Sequence, residues 1–315
     1  MKLEIILIVL LLGCIGITGY LAYVLYLSPA QNFTLVTSFQ QNNTNQENTL
    51  MSSVDYPEGL LFYSTMRFPD KKITYSISSE CDKEIAENAR KSFFLLQEQT
   101  ILSFSEEPLN GRIKVSCSQE LKEMRKSEYF VAGEGGPTEI INTTKYYVIF
   151  NGTILLYGQD KCERPIVSIH EILHVLGFRH STNKASIMYN FSECNQEIDS
   201  QIISQIELLY KDPSLPDIQI EKVNAAKKGQ YLEFGIEIIN IGLSPSPPAQ
   251  ILIYANDKEA GNYQLDSLGI GEGQILSVEN LRIPISTEKI SFIIDPQNAF
   301  QEIDKQNNAA ILFLK

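Results

Sequence analysis

The chain has no tryptophan and only three histidines in 315 residues, and it is short of positive charge: 26 lysines and arginines stand against 38 aspartates and glutamates, a formal net charge of −12. That deficit argues against nucleic acid as a partner, because gripping phosphates needs a basic face. The missing tryptophan excludes nothing by itself. Cysteine is scarce as well, five in all, and none stands in C-x-x-C spacing, which argues against a closed zinc-thiolate site. Low hydrophobicity, the mark of a disordered chain, is also absent: 43% of the residues are hydrophobic and 20% charged. The length accommodates two domains at about 150 residues each.

Charge is missing altogether from Ile5 to Leu27, which reads IILIVLLLGCIGITGYLAYVLYL. A membrane-spanning helix needs roughly 20 such residues, whereas the apolar core of a cleaved signal peptide runs about 7–15. The reading is an uncleaved transmembrane anchor over 1–27. Two other fates compete with it: cleavage near Ser28-Pro29-Ala30, and lipid attachment at Cys14, although the apolar run continues well past that cysteine. Lys2 precedes the span and no lysine or arginine follows until Arg67. The positive-inside rule then puts the amino terminus in the cytoplasm and the rest of a single-pass cell-membrane protein outside. Residues 28–58 are rich in Gln, Asn, Thr and Ser and read as a flexible linker. Cys81, Cys117, Cys162 and Cys194 lie beyond the span. An even count in an exported domain points to disulfides, and of the three pairings the sequence-local ones, Cys81–Cys117 and Cys162–Cys194, are expected, with unpaired buried thiols as the alternative. Glycosylation-type triplets at Asn32, Asn42, Asn142, Asn151 and Asn190 hint at an exported surface.

From about residue 59 the chain reads as folded. KITYSIS (72–78) alternates like a half-buried strand, and Ile85, Ala89, Phe93 and Leu96 in the next segment keep helical spacing. GRIKVSC (111–117) is a further strand. KYYVIFNGTILLYG (145–158) is one strand or two, with Asn151-Gly152 as the candidate turn. Pro165 suits a helix start, and Ile198, Ile202, Ile206 and Leu209 mark a last helix. KDPSLPD (211–217) closes it and sets a boundary between a domain over 59–213 and another over 214–315. The second half carries about seven short alternating runs separated by turn residues, the pattern of a β-sandwich.

All three histidines fall within HEILHVLGFRH, residues 170–180. Residues four apart share a helix face, so His170 and His174 can hold one metal ion, with Glu171 beside it. Two imidazoles leave a zinc ion short of ligands. His180 supplies the third, but six residues on it cannot continue the same face, so the helix has to stop, and Gly177 accepts the left-handed conformation that ends one. Three neutral imidazoles leave one position open to water, the layout of a catalytic zinc site.

The string His170, Glu171, His174, Gly177, His180 with a later Met188 is the metzincin signature. RHSTNKASIMYN narrows the resemblance to the matrixin type, as does the order ITYSI, helix, RIKV; it covers about residues 65–210. The resemblance implies an α+β catalytic domain, a twisted mixed sheet plus helices, that binds Zn2+ and cuts peptide or protein substrates. Glu171 would deprotonate the zinc-bound water that attacks the peptide carbonyl and hand the proton to the leaving amine. Met188 would form the apolar floor of a Met-turn without ligating, and Tyr189 would either line the cleft or pack. The chain departs from the family in three ways: no cysteine-switch propeptide motif, RFPDK in place of the usual aromatic before the first strand, and no recognisable calcium loop. INIGLSPSPPAQILIYAND and IIDPQNAFQEIDKQNNAA, with Asn240, Gly242, Asp295-Pro296 and Asn307-Asn308, resemble CARDB modules, all-β immunoglobulin-like sandwiches of prokaryotic surfaces. That resemblance implies a spacer, or a site for a cell-surface partner. The expected protein is a membrane-anchored, outward-facing zinc endopeptidase; the alternative is a surface binding or adhesion protein whose zinc domain is inert. Hydrolysis of a non-protein amide is a third option.

Overall fold

The computed structural model describes residues 32–40, 59–118, 122–123, 130–158 and 162–314. The expected anchor, residues 1–27, lies outside them; among the described residues no helix is long and apolar enough to cross a membrane. In chain order the strands begin with β1 (Asn32–Gln40), β2 (Met66–Arg67), β3 (Lys72–Ile77), β4 (Ser103–Glu106), β5 (Ile113–Ser118), β6 (Lys122–Glu123), β7 (Phe130–Val131), β8 (Gly133–Asn142) and β9 (Tyr147–Tyr157). The helices are α1 (Lys83–Gln99), α2 (Ile166–Val175) and α3 (Ser200–Leu209). The second half adds β10 (Ile218–Lys228), β11 (Tyr231–Asn240), β12 (Ala249–Ala255), β13 (Lys258–Leu265), β14 (Glu272–Arg282), β15 (Lys289–Ile294) and β16 (Ala309–Phe313).

The first domain is a mixed sheet with helices. β4, β3, β5 and β9 lie side by side in parallel, β2 pairs with the first residues of β9, and β8 adds the one antiparallel strand, also on β9. Parallel neighbours need long crossovers, and α1 is the one between β3 and β4. Its apolar stripe, Ile85, Ala89, Phe93 and Leu96, is buried, and the Phe93 ring stacks on Tyr75 of β3 at 3.9 Å. α2 packs on β8 and β9. It is apolar on nearly every side and buried accordingly, as a helix without a polar face must be.

Asn151-Gly152 is not a turn: β9 runs straight through it, paired with β8 on Asn151 and with β5 on Gly152. The glycine serves contact instead. A Cβ there would sit 2.3 Å from Val175 Cγ1, so only glycine lets α2 lie this close to the sheet. RFPDK, which stands where the resemblance has an aromatic, starts in the core. Arg67 is 1% exposed, and its guanidinium donates to the carbonyls of Leu209 and Asp212 at 2.7 and 3.0 Å, closing the carboxy-terminal end of α3, and to Phe68 and Pro69 at 2.9 Å each. The cysteines are joined locally, Cys81 to Cys117 and Cys162 to Cys194.

The second domain is two four-stranded antiparallel sheets, β1-β14-β11-β10 and β13-β12-β15-β16, closed over a core rich in isoleucine. Part of the expected linker is therefore a strand: residues 32–40 pair with β14 in register Asn32 to Glu279 and Gln40 to Glu272. The polar composition that suggests a tether is compatible with a strand added at a sheet edge. The rest of 28–58 lies outside the described residues.

The domains meet where the β8–β9 hairpin turns. Thr143 Oγ1 donates to the Ile241 carbonyl at 2.9 Å, Tyr146 Oη donates to Asp212 at 2.6 Å, and Lys145 pairs with the fully buried Asp217 at 2.7 Å. Tyr146, Val148, Leu243 and Ile270 bury a small apolar cluster across the junction. A Cβ on Gly271 would strike Ile141 of β8 at 2.6 Å, so the two domains touch closely there.

Candidate metal centre

α2 ends in a Schellman motif. Gly177 takes φ +97°, its N–H donates to the His174 carbonyl, and the Phe178 N–H reaches back to Leu173, each at 3.0 Å. This turn does two things. It sends the chain back so that His180 faces the helix, and it aims the Phe178 carbonyl at His174, whose Nδ1 lies 2.8 Å away. The turn is held from outside by Leu60–Phe62: Phe62 N–H donates to the Gly177 carbonyl and Arg179 N–H to the Leu60 carbonyl, both at 2.9 Å. The Phe62 ring stacks on His174 at 6.2 Å.

His170 Nδ1 is matched in the same way, 2.6 Å from the Ile187 carbonyl. A carbonyl only accepts, so Nδ1 carries the proton in both rings and Nε2 is left with a bare lone pair. The three Nε2 atoms converge: His180 lies 3.2 Å from both His170 and His174. His180 can donate to only one of them, so lone pairs face one another with too few protons between them. That surplus of acceptors fits a cation. Burial also holds His170 down at about 4 and His174 at about 3, and lowers His180, which keeps the rings neutral as metal ligands must be. Among the described residues this is the one group of three or more His, Cys, Asp or Glu whose ligand atoms could surround a metal ion. The donor set, three neutral nitrogens and no thiolate, fits Zn2+ with an open position.

Glu171 is 6% exposed and has no hydrogen-bond partner among the described residues. Burial first, and Glu134 second, push its carboxyl up to about 8. It can come so close to β8 because the rim strand has glycines there. A Cβ on Gly133 would lie 2.8 Å from Glu171 Cγ, and one on Gly135 2.5 Å from the Glu171 carbonyl oxygen. Met188 is 1% exposed within a turn closed by Tyr189 N–H on the Ser186 carbonyl at 3.0 Å. The buried Ser186 hydroxyl donates to Asp199 at 2.6 Å and accepts from Met188 N–H at 3.1 Å, while Asp199 caps α3 through Ile202 N–H. The turn that supplies the Ile187 carbonyl is thus bolted to the start of α3.

These groups line a cleft of about 740 Å³ between β8 and the 184–193 segment, with Tyr189 and Phe191 on its wall and Glu134, Lys184 and Glu193 as its other charged residues. Sequence reasoning placed His170, Glu171, His174, His180 and Met188 but missed the rim strand, the Leu60–Phe62 strap and the Ser186–Asp199 link. The run Gly133-Glu134-Gly135-Gly136 was the available signal, since glycines in a strand mark a close approach.

Residues 67–211 match the family model for matrixin, and residues 215–311 match the model for CARDB. No curated protein is similar to the chain in sequence. Among solved structures, the CARDB domain of a Pyrococcus furiosus protein in complex with di-metal ions is 22% identical, with 31% of this chain and 85% of that one covered at a TM-score of 0.27. A domain of a putative cell surface protein from Methanosarcina acetivorans is 15% identical over 31% of this chain and 91% of that one, TM-score 0.27. High choriolytic enzyme 1, a hatching-enzyme zinc-protease from the medaka fish Oryzias latipes, is 14% identical over 44% of this chain and 89% of that one, TM-score 0.31.

Proposed function

We propose that this chain, a matrixin domain followed by a CARDB domain, is a zinc-dependent endopeptidase held at the cell membrane by its amino-terminal apolar segment and facing outward. The observation that supports it best is the convergence of three Nε2 atoms beside a buried, unpartnered carboxyl in an open cleft. His170, His174 and His180 would hold the ion. Zinc in that position supplies Lewis acidity, polarising a carbonyl and making water acidic near neutral pH.

The chain's own residues do the rest. Glu171 takes the proton from the attacking water and returns it to the departing amine. Lacking a hydrogen-bond partner among the described residues, its carboxyl is free to do both. The Ile187 and Phe178 carbonyls fix the rings of His170 and His174 and so fix the direction of their lone pairs. Among the described residues β8 pairs with β9 alone, so its outer edge offers backbone groups to an extended peptide, which can add as another strand along the cleft. The sandwich serves as a spacer or as the site for a cell-surface partner.

The test is cleavage of a mixed peptide library by the full-length, zinc-loaded chain beside Glu171→Gln carrying equal zinc. Cleavage by the first and not the second supports the endopeptidase. A zinc-loaded chain that cuts nothing while binding surface polymer favours the binding-protein reading.

A further inference from the structure

We propose that the sandwich, not the metal-binding domain, stands on the bilayer, and that its far tip contacts the lipid surface through Ile285 and Phe313. The inference rests on the anchor reading above. Five residue steps separate Leu27, the end of the uncharged run, from Asn32, the first residue of β1. Even fully extended they reach about 18 Å. β1 therefore starts close to where the span emerges, and its start lies beside Glu279, near the end of β14, with Arg282 and Tyr231 of β11 just beyond.

That end of the sandwich is the one away from the other domain. It gathers the β10–β11 turn at Gly229, the 283–288 loop and the finish of β16: Ile283 N–H donates to the Gln230 carbonyl, Leu314 N–H to Glu288, and the Lys227 ammonium to the Ile285 and Thr287 carbonyls. The junction with the metal-binding domain is at the opposite end, where Gln40 pairs with Glu272, Asp217 meets Lys145, and Gly271 meets Ile141. The eleven residues of β14 run between the two ends, about 36 Å at 3.3 Å per residue.

A second observation, independent of β1, marks the same tip. Ile285 is 73% exposed and Phe313 78%. Single exposed apolar residues need no explanation. These two sit where the chain arrives from the membrane, and an apolar residue on each side of the tip is what shallow contact with headgroups and upper acyl chains requires. Two neighbouring lysines are paired, Lys228 with Glu233 and Lys289 with Asp257, and the Lys227 ammonium is spent on the Ile285 and Thr287 carbonyls, so the contact is apolar and not a basic patch reading anionic lipid.

The absence of tryptophan makes the test clean. Full-length chain is reconstituted into phosphatidylcholine vesicles, with and without bromine near the top of the acyl chains, as three single-tryptophan variants: Ile285→Trp, Phe313→Trp, and Leu109→Trp, the last an 88% exposed position in the metal-binding domain. The expected result is loss of fluorescence in brominated vesicles at 285 and 313 and none at 109, unchanged when anionic lipid is added. Quenching at 109 alone, or at none of the three, overturns the proposal. An alkaline wash separates the two failures: release of the chain from the vesicles defeats the anchor reading and this inference with it, whereas a retained chain with bright tryptophans at 285 and 313 defeats this inference alone.

Discussion

The two domains bury similar polar chemistry and use it in opposite ways. In the sandwich every buried charge is answered. Asp217 takes Lys145 on one oxygen and Asn307 on the other, Glu302 takes Ile218 N–H, Asn308 and Lys305, and Asn240 makes four hydrogen bonds that lock the 240–244 turn against Asp217 and Leu268. In the metal-binding domain the buried groups of the cleft are answered on one side only. His170 and His174 spend Nδ1 on carbonyls and leave Nε2 bare, and Glu171 has no hydrogen-bond partner among the described residues. Charges answered on both sides make structure, even where the neighbouring amide oxygens of Asn307 and Asn308 find no partner among the described residues; half-answered groups facing a cleft store the capacity to bind and to move a proton. The residues that resemble the CARDB pattern serve structure: Asn240 and Asp295 hold turns, and Asn307 and Asn308 donate through their amide nitrogens to Asp217 and Glu302.

The sharpest way to break this contrast is to remove one carboxylate from each domain. Glu171→Gln is expected to lower peptide cleavage by about 10²–10⁴-fold with zinc content unchanged, read by steady-state kinetics and metal analysis. It does not lower stability, since a neutral amide of the same shape replaces a carboxyl that burial already pushes toward its neutral form. Asp217→Ala is expected to do the reverse. It strands the Lys145 ammonium and the Asn307 amide at the domain junction and costs about 3 kcal/mol of stability in denaturant unfolding, because one half of a buried pair is left behind. If Asp217→Ala unfolds at the wild-type midpoint, the Lys145–Asp217–Asn307 contacts do not hold the junction.

Much of the site was legible because it rests on local rules. A helix repeat fixes His170 and His174 on one face, and a glycine at the helix end fixes the return of His180. Where the sequence misled, a distant partner had overruled a local preference. Asn151-Gly152 reads as a hairpin turn, but β5 and β8 pair across it and Val175 needs the missing Cβ. β8 was invisible because glycines carry no side chains to alternate. Nothing local in the sequence marks Arg67 as buried, yet four carbonyls, two of them more than 140 residues away, draw it into the core. β1 reads as a tether because its partner strand lies some 240 residues on.

The metal-free protein offers a test through pH. The histidines, depressed to about 4 and 3 by burial, contribute stability that is complete above their ordinary value near 6.5 and lost as pH falls toward those folded values. Glu171 is raised to about 8, so its contribution is complete below about 4.5 and lost as pH rises through 8. Between 4.5 and 6.5 the two rings outweigh the one carboxyl by a net proton, about 1.4 kcal/mol per pH unit. Metal-stripped protein is therefore expected to be most stable near pH 6.5 and to weaken on both sides in urea titrations. Glu171→Gln flattens the alkaline limb and steepens the acid one, because the carboxyl no longer offsets one of the rings. An apo profile that is flat from pH 5 to 8 would contradict the one-sided pairing on which the contrast depends.

The smallest effect expected is at Ser186, a place beside the cleft where the metal-binding domain builds like the sandwich. Its hydroxyl is fully buried and doubly engaged, donating to the Asp199 cap and accepting from Met188 N–H. Ser186→Ala removes both bonds but leaves Asp199 with Ile202 N–H, so the loss of stability is expected to be about 1 kcal/mol. The turn also carries the Ile187 carbonyl that orients His170, so the same substitution is expected to weaken zinc binding by about tenfold, measured by competition with a chelating dye. The ratio of the two losses is the informative quantity. A fall in stability with unaltered zinc affinity would make the Ser186–Asp199 link plain scaffolding, of the sandwich kind. A fall in both says that the half-saturated site depends on a saturated network one residue away.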